Sequence, residues 1–117
     1  MRNDKDNIIV EKSFQFALKI VTYCELLEEN RKFIIARQLL KSGTSIGANV
    51  REAQNAESKM DFIHKMKIAA KEADETEYWL LICKNVPAYP FDELLLTDLI
   101  ELIKILGKII SSSKKAN

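Results

Sequence analysis

The chain contains one histidine, His64, three residues after Asp61. On a helix that carboxylate-x-x-histidine spacing puts both groups on one face and supplies half of a di-iron site. A whole site needs a second such motif and inward-facing glutamates. On a helical wheel His64 also turns away from the apolar stripe that starts at Phe62, so no metal is expected. Ser42, Ser45 and Ser58 have no histidine at a predictable distance to act as base. Gly43 and Gly47 have neither the lysine spacing of a phosphate-binding loop nor a preceding strand. Glu52 and Glu72 are the one carboxylate pair worth weighing for acid–base chemistry, and the plainer expectation is structural contact with Asn49, Lys41 or Lys71. Cys24 and Cys83 lie far apart, with no CxxC and no histidine partner; both fall on apolar helical stripes and read as reduced core residues of a cytoplasmic protein. The expectation is a protein that is not an enzyme and holds no cofactor.

Basic side chains are the remaining groups with a chemistry to offer. Arg37, Lys41 and Arg51 fall on one face of a helix, and Lys67 and Lys71 share a second outer face with His64 and Tyr78. Such faces, repeated around a symmetric assembly, would neutralise many phosphates of RNA or DNA although each subunit supplies few. Ordinary solvation is the alternative, and Glu72, Asp74, Glu75 and Glu77 make the second half of the same helix acidic. Trp79 and Tyr89 have rings that can stack on bases, but packing in the core or at an interface is the expected use of both.

The elements that must position these residues are helices. Three glycines and two prolines in 117 residues, with 47% apolar residues, exclude a turn-rich β architecture and a disordered chain. The expected fold is all-α, a single domain over residues 1–117, with four helices near 8–29, 32–53, 59–85 and 92–112 packed up-down-up-down. The first carries two adjacent stripes, Phe14-Ala17-Val21-Cys24 and Phe16-Ile20-Tyr23-Leu27. The third has the most regular seam, Phe62, Met66, Ala69, Ala73, Thr76, Leu80 and Cys83, with Ser58 as its cap. Pro87 and Pro90 end it. The fourth carries Leu95, Leu99, Leu102, Leu106 and Ile109, and the tail from Ser111 onward is expected to fray. Helices 1 and 4 are apolar over more than one stripe, which fits either a subunit interface or a wide core. Net charge is +1, which makes no general case for nucleic acid. No apolar run approaches the roughly 20 residues that cross a bilayer, and the amino terminus has no apolar export segment, so no membrane role is expected.

Residues 41–49, Lys-Ser-Gly-Thr-Ser-Ile-Gly-Ala-Asn, are poor helix formers, since each interior glycine costs roughly 1 kcal/mol against alanine. The apolar phase nevertheless runs through them unbroken, from Ile35 and Leu39 to Ile46, Val50 and Ala53, so the stretch is expected to be helical. On that helix Gly43 and Gly47 form a flank where a neighbouring backbone can come close. Gln38, Ser45, Asn49 and Glu52 form a polar ridge on the other flank, needing partners if buried. From Arg31 to Ala53 five basic residues face one acidic, a local net of +4.

The run Ser45-Ile46-Gly47-Ala48-Asn49-Val50-Arg51-Glu52, followed by Phe62-Ile63-His64-Lys65-Met66-Lys67-Ile68-Ala69-Ala70-Lys71-Glu72-Ala73, resembles the four-helix-bundle proteins encoded in bacterial 23S rRNA intervening sequences. The match is close over the second and third helices and holds in layout over nearly the full length. The resemblance implies a bundle that forms a ring, a pentamer. The accessory proteins of diversity-generating retroelements are similar to this family, and through them the resemblance implies a basic surface that engages nucleic acid. Two functions follow as expectations. One is an oligomeric, non-enzymatic bundle that binds RNA or DNA through Arg37, Lys41, Arg51, Lys67 and Lys71. The other is a scaffold that docks a protein partner, suggested by the near-zero net charge and the wide apolar faces.

Overall fold

A computed structural model describes residues 7–115, and among these every regular element is helical: α1 (Ile8–Glu29), α2 (Phe33–Ala53), α3 (Lys59–Asn85) and α4 (Glu93–Lys115). The four form a bundle 50 × 21 × 21 Å across. Each helix packs on its neighbours in chain order and α4 returns to α1, the loosest of the four seams. Ile20 meets Gly43 and Ser13 meets Gly47 between α1 and α2. Ser42 meets Thr76 and Glu52 meets Lys65 between α2 and α3. Lys84 pairs with Glu93 between α3 and α4, and Lys12 and Lys19 pair with Glu101 and Asp98 between α1 and α4.

The helix ends follow from the residues that stand there. After Glu29 the chain reverses in a Schellman arrangement: the amide of Lys32 donates to the carbonyl of Leu27 at 2.8 Å and that of Arg31 to Glu28 at 2.8 Å. This leaves Arg31 in the left-handed region at φ 63°, where a Cβ is unfavourable. Replacing Arg31 by glycine is expected to stabilise the fold by roughly 0.5–1 kcal/mol, read as a higher melting midpoint. A lower midpoint would mean that the arginine side chain holds the turn. Ser58 caps α3, its hydroxyl accepting from the Asp61 amide at 3.0 Å, while the Asp61 carboxylate accepts from the Glu57 amide at 3.1 Å. The Asp92 carboxylate accepts from the Leu94 amide at 3.0 Å as α4 begins. The expectation of a frayed tail is corrected: α4 stays helical through Lys115, with Ile109, Ile110 and Ser113 half-buried on the bundle. The end of that expected tail, residues 116–117, lies outside the described residues.

The core draws on all four helices: Phe16, Ile20 and Leu27; Leu39, Ile46 and Val50; Met66 and Leu80; Leu99, Leu102 and Leu106. Of the two stripes on α1, the one through Phe16 is buried. Phe14 and Val21 on the other are 54% and 41% exposed. Both cysteines are free and buried. Burial pushes the Cys24 thiol up to about 12 and raises Cys83 and the Tyr23 phenol as well.

Candidate nucleic-acid interface

Residues 41–49 are helical without interruption. Three of their polar side chains bond back onto the helix itself: Thr44 donates to the Leu40 carbonyl at 2.7 Å, Ser45 to Lys41 at 2.6 Å and Asn49 to Ser45 at 2.8 Å. The polar ridge needs few outside partners for that reason. The glycines serve the other flank. A Cβ at Gly47 would stand 3.2 Å from the backbone oxygen of Ser13, and one at Gly43 would stand 2.9 Å from both γ carbons of Ile20. Close α1–α2 packing compensates the glycines' low helix propensity.

With the helix intact, Arg37, Lys41 and Arg51 all project from its outer side and all are exposed. None of them forms an ion pair with a carboxylate among the described residues. Their surroundings differ. Arg51 borders a shallow groove of about 220 Å³ between α1 and α2, with Val10, Phe14, Ala17 and Ala48. Lys41 lies by Glu72, whose carboxyl is held above its ordinary range by partial burial and by Glu75 beside it, with Lys41 opposing. The helix proper carries three basic residues against Glu52, a net +2. Arg31 and Lys32 belong to the preceding turn, and the Lys32 ammonium sits 5.1 Å from the centre of the Tyr89 ring.

Lys67 and Lys71 are exposed on α3. They gain a neighbour that the sequence did not suggest. Lys114 at the end of α4 comes up beside Lys67 and holds its ammonium below the ordinary lysine value, with Lys71 adding to the effect. Treating the tail as frayed hid this residue. Ser111, Ser112 and Ser113 carry no apolar signal, so the helix past Ile110 was not legible from periodicity. The basic residues thus fall in two groups, one on α2 and one at the α3–α4 edge.

The other singled-out residues have structural partners. Glu52 lies 3.9 Å from Lys65, which also lies 3.7 Å from Asp61; the sequence had suggested Asn49, Lys41 or Lys71 for it. The hydroxyls of Ser42 and Thr76 are 2.9 Å apart in the buried α2–α3 seam, and Thr76 also donates to the Glu72 carbonyl at 2.7 Å. His64 is exposed. The Trp79 ring packs against the core and its indole N–H donates to Glu75 at 3.2 Å. Among the described residues no group of three or more metal-ligating side chains converges, and no helix is long and apolar enough to cross a membrane.

These features define an all-helical protein of four packed helices with separate basic and apolar surface patches. The family model of the 23S rRNA-intervening sequence protein matches residues 5–112, and the chain belongs to that family. No curated protein matches the chain. Among solved structures it is similar to a protein of unknown function of the S23 ribosomal protein family from Bacteroides thetaiotaomicron, a crystal structure at 1.70 Å resolution. The two share 44% identity over 87% of this chain and 97% of the other, with a TM-score of 0.77.

Proposed function

We propose that this protein is a non-enzymatic, cytoplasmic, up-down-up-down antiparallel bundle. It assembles with copies of itself into a ring, five being the number that the family resemblance implies, and engages RNA or DNA through the basic faces of α2 and α3. The observation that carries the reading is that Arg37, Lys41, Arg51, Lys67 and Lys71 are all exposed and unpaired with any described carboxylate. Cations left without carboxylate partners are available to phosphates, and a ring multiplies a modest charge per subunit. Support for assembly comes from the second apolar stripe of α1, where Phe14 and Val21 stand exposed, as Leu40 does on α2. A patch of that kind is commonly covered by a partner.

Filter binding of a structured RNA at low salt tests the nucleic-acid arm. The Arg37→Ala/Lys41→Ala/Arg51→Ala protein is expected to bind at least about tenfold more weakly, with a shallower salt slope, each lost phosphate contact being worth about 0.7–0.9 in that slope. No retention by the unsubstituted protein at micromolar concentration would rule this reading out. The protein-scaffold reading is favoured by the same exposed apolar stripe, and a partner captured from cells that survives nuclease treatment would support it.

A further inference from the structure

The seam between α1 and α4 is open, and two adjoining grooves run along it, about 640 Å³ and about 550 Å³ in volume, sharing Gln15 and Lys19. Together they extend from Asn7 to Glu29 on α1, on the order of 30 Å at the helical rise of about 1.5 Å per residue. Beneath them lie the buried core residues Phe16, Leu102, Leu95 and Tyr23, which close their base. Ile8, Leu18 and Leu26 stand exposed along the α1 wall. The rim is acidic. Glu11, Glu25, Glu29, Asp92, Asp98 and Glu101 line it against Lys12 and Lys19 alone, a net −4 in a chain whose total is +1. Both lysines are already engaged, Lys12 with Glu101 at 2.9 Å and Lys19 with Asp98 at 2.6 Å. Exposed pairs of this kind are worth about 0–1 kcal/mol, so an incoming cation displaces them at little cost.

We propose that the α1–α4 groove is a docking site for a basic amphipathic helix of another protein. The length suits a helix of about five turns. The exposed Ile8, Leu18 and Leu26 suit leucine-type anchors spaced three and four residues apart, and the acidic rim selects lysine or arginine on their flanks and repels an acidic helix. The site lies apart from the basic groups on α2 and at the α3–α4 edge, so it does not depend on the nucleic-acid reading.

Fluorescence anisotropy with a labelled Leu/Lys helical peptide of about 18 residues tests it, using the full chain and two control peptides. One control carries glutamate in place of lysine; the other has the same composition scrambled so that no leucine face remains. The Leu/Lys peptide is expected to bind at least about tenfold more tightly than either control. Asp98→Lys/Glu101→Lys and Leu18→Ser are each expected to weaken it about tenfold, and Phe14→Ser to leave it unchanged. Melting curves establish that each variant is folded, and light scattering reports its mass. Equal binding of the glutamate peptide, or full affinity in the Asp98→Lys/Glu101→Lys protein, overturns the proposal. A fall in assembly mass in the groove variants also overturns it, because a second copy of this chain would then be the occupant. RNA binding is scored separately, so failure here is distinguishable from failure of the nucleic-acid reading.

Discussion

Gly47→Leu is expected to lower the melting midpoint by about 5 °C. A Cβ at this position meets the Ser13 backbone oxygen at 3.2 Å and its carbonyl carbon at 3.4 Å. Backbone atoms inside a helix cannot rotate aside, so a leucine must push α1 away from α2 as a body. Overpacking of this kind costs about 1–3 kcal/mol. Losing a glycine from a helix interior returns at most about 1 kcal/mol, and for a domain of this size each net kilocalorie moves the midpoint by about 4–6 °C. Gly47→Ala should be near neutral, because a shift of a few tenths of an ångström accommodates one methyl while propensity improves. Gly43→Ala should be worse than Gly47→Ala, since its methyl would stand 2.9 Å from two carbons of the fully buried Ile20. An unchanged midpoint for Gly47→Leu would show that the helix pair is not held at this distance.

Phe16 and Phe14 stand two residues apart and should behave in opposite ways. Phe16 is 2% exposed and Phe14 54% exposed. Phe16→Ala removes a ring from the centre of the bundle and leaves a cavity, which typically costs about 3–5 kcal/mol. Calorimetry should show a midpoint depressed by more than about 10 °C. Phe14→Ser removes a ring from the surface of the single chain, where substitutions stay within about 0.5 kcal/mol. Its effect is expected on mass: if the α1 stripe is a subunit interface, light scattering should report a smaller assembly with unchanged helicity. A cost below about 1 kcal/mol at Phe16, or an unaltered mass with Phe14→Ser, would contradict the respective assignment.

The helices were legible because their signals are local or periodic. The α3 seam follows steps of four and three residues from Phe62 to Cys83, and all its members except half-buried Phe62 are buried. Phase carried the reading across the two glycines of α2, and their close approach to α1 gives the physical reason for their presence. Which of the two α1 stripes turns inward was not legible, because both are apolar and the choice depends on where α2 and α4 come to rest. The same limit applies to the basic groups. Each lysine's helix face could be read from its own segment. That Lys114 lies beside Lys67, or that Glu72 feels the charge of Lys41 without an ion pair, depends on how segments tens of residues apart pack together. The acidic α1–α4 groove is equally non-local, its carboxylates coming from both walls and from Asp92 just ahead of α4.

The Ser42–Thr76 contact places two hydroxyls within 2.9 Å of each other where hydrocarbon otherwise fills the space. Sliding α3 past α2 by one turn would part them; Thr76 would keep its bond to the Glu72 carbonyl, so the loss is that of one hydrogen bond, roughly 0.5–1.5 kcal/mol. Neighbouring alanines such as Ala69 and Ala73 would tolerate the same slip with little complaint. One polar rivet therefore discriminates the correct alignment from its nearest rivals, a selectivity that a seam of uniform aliphatic teeth would lack.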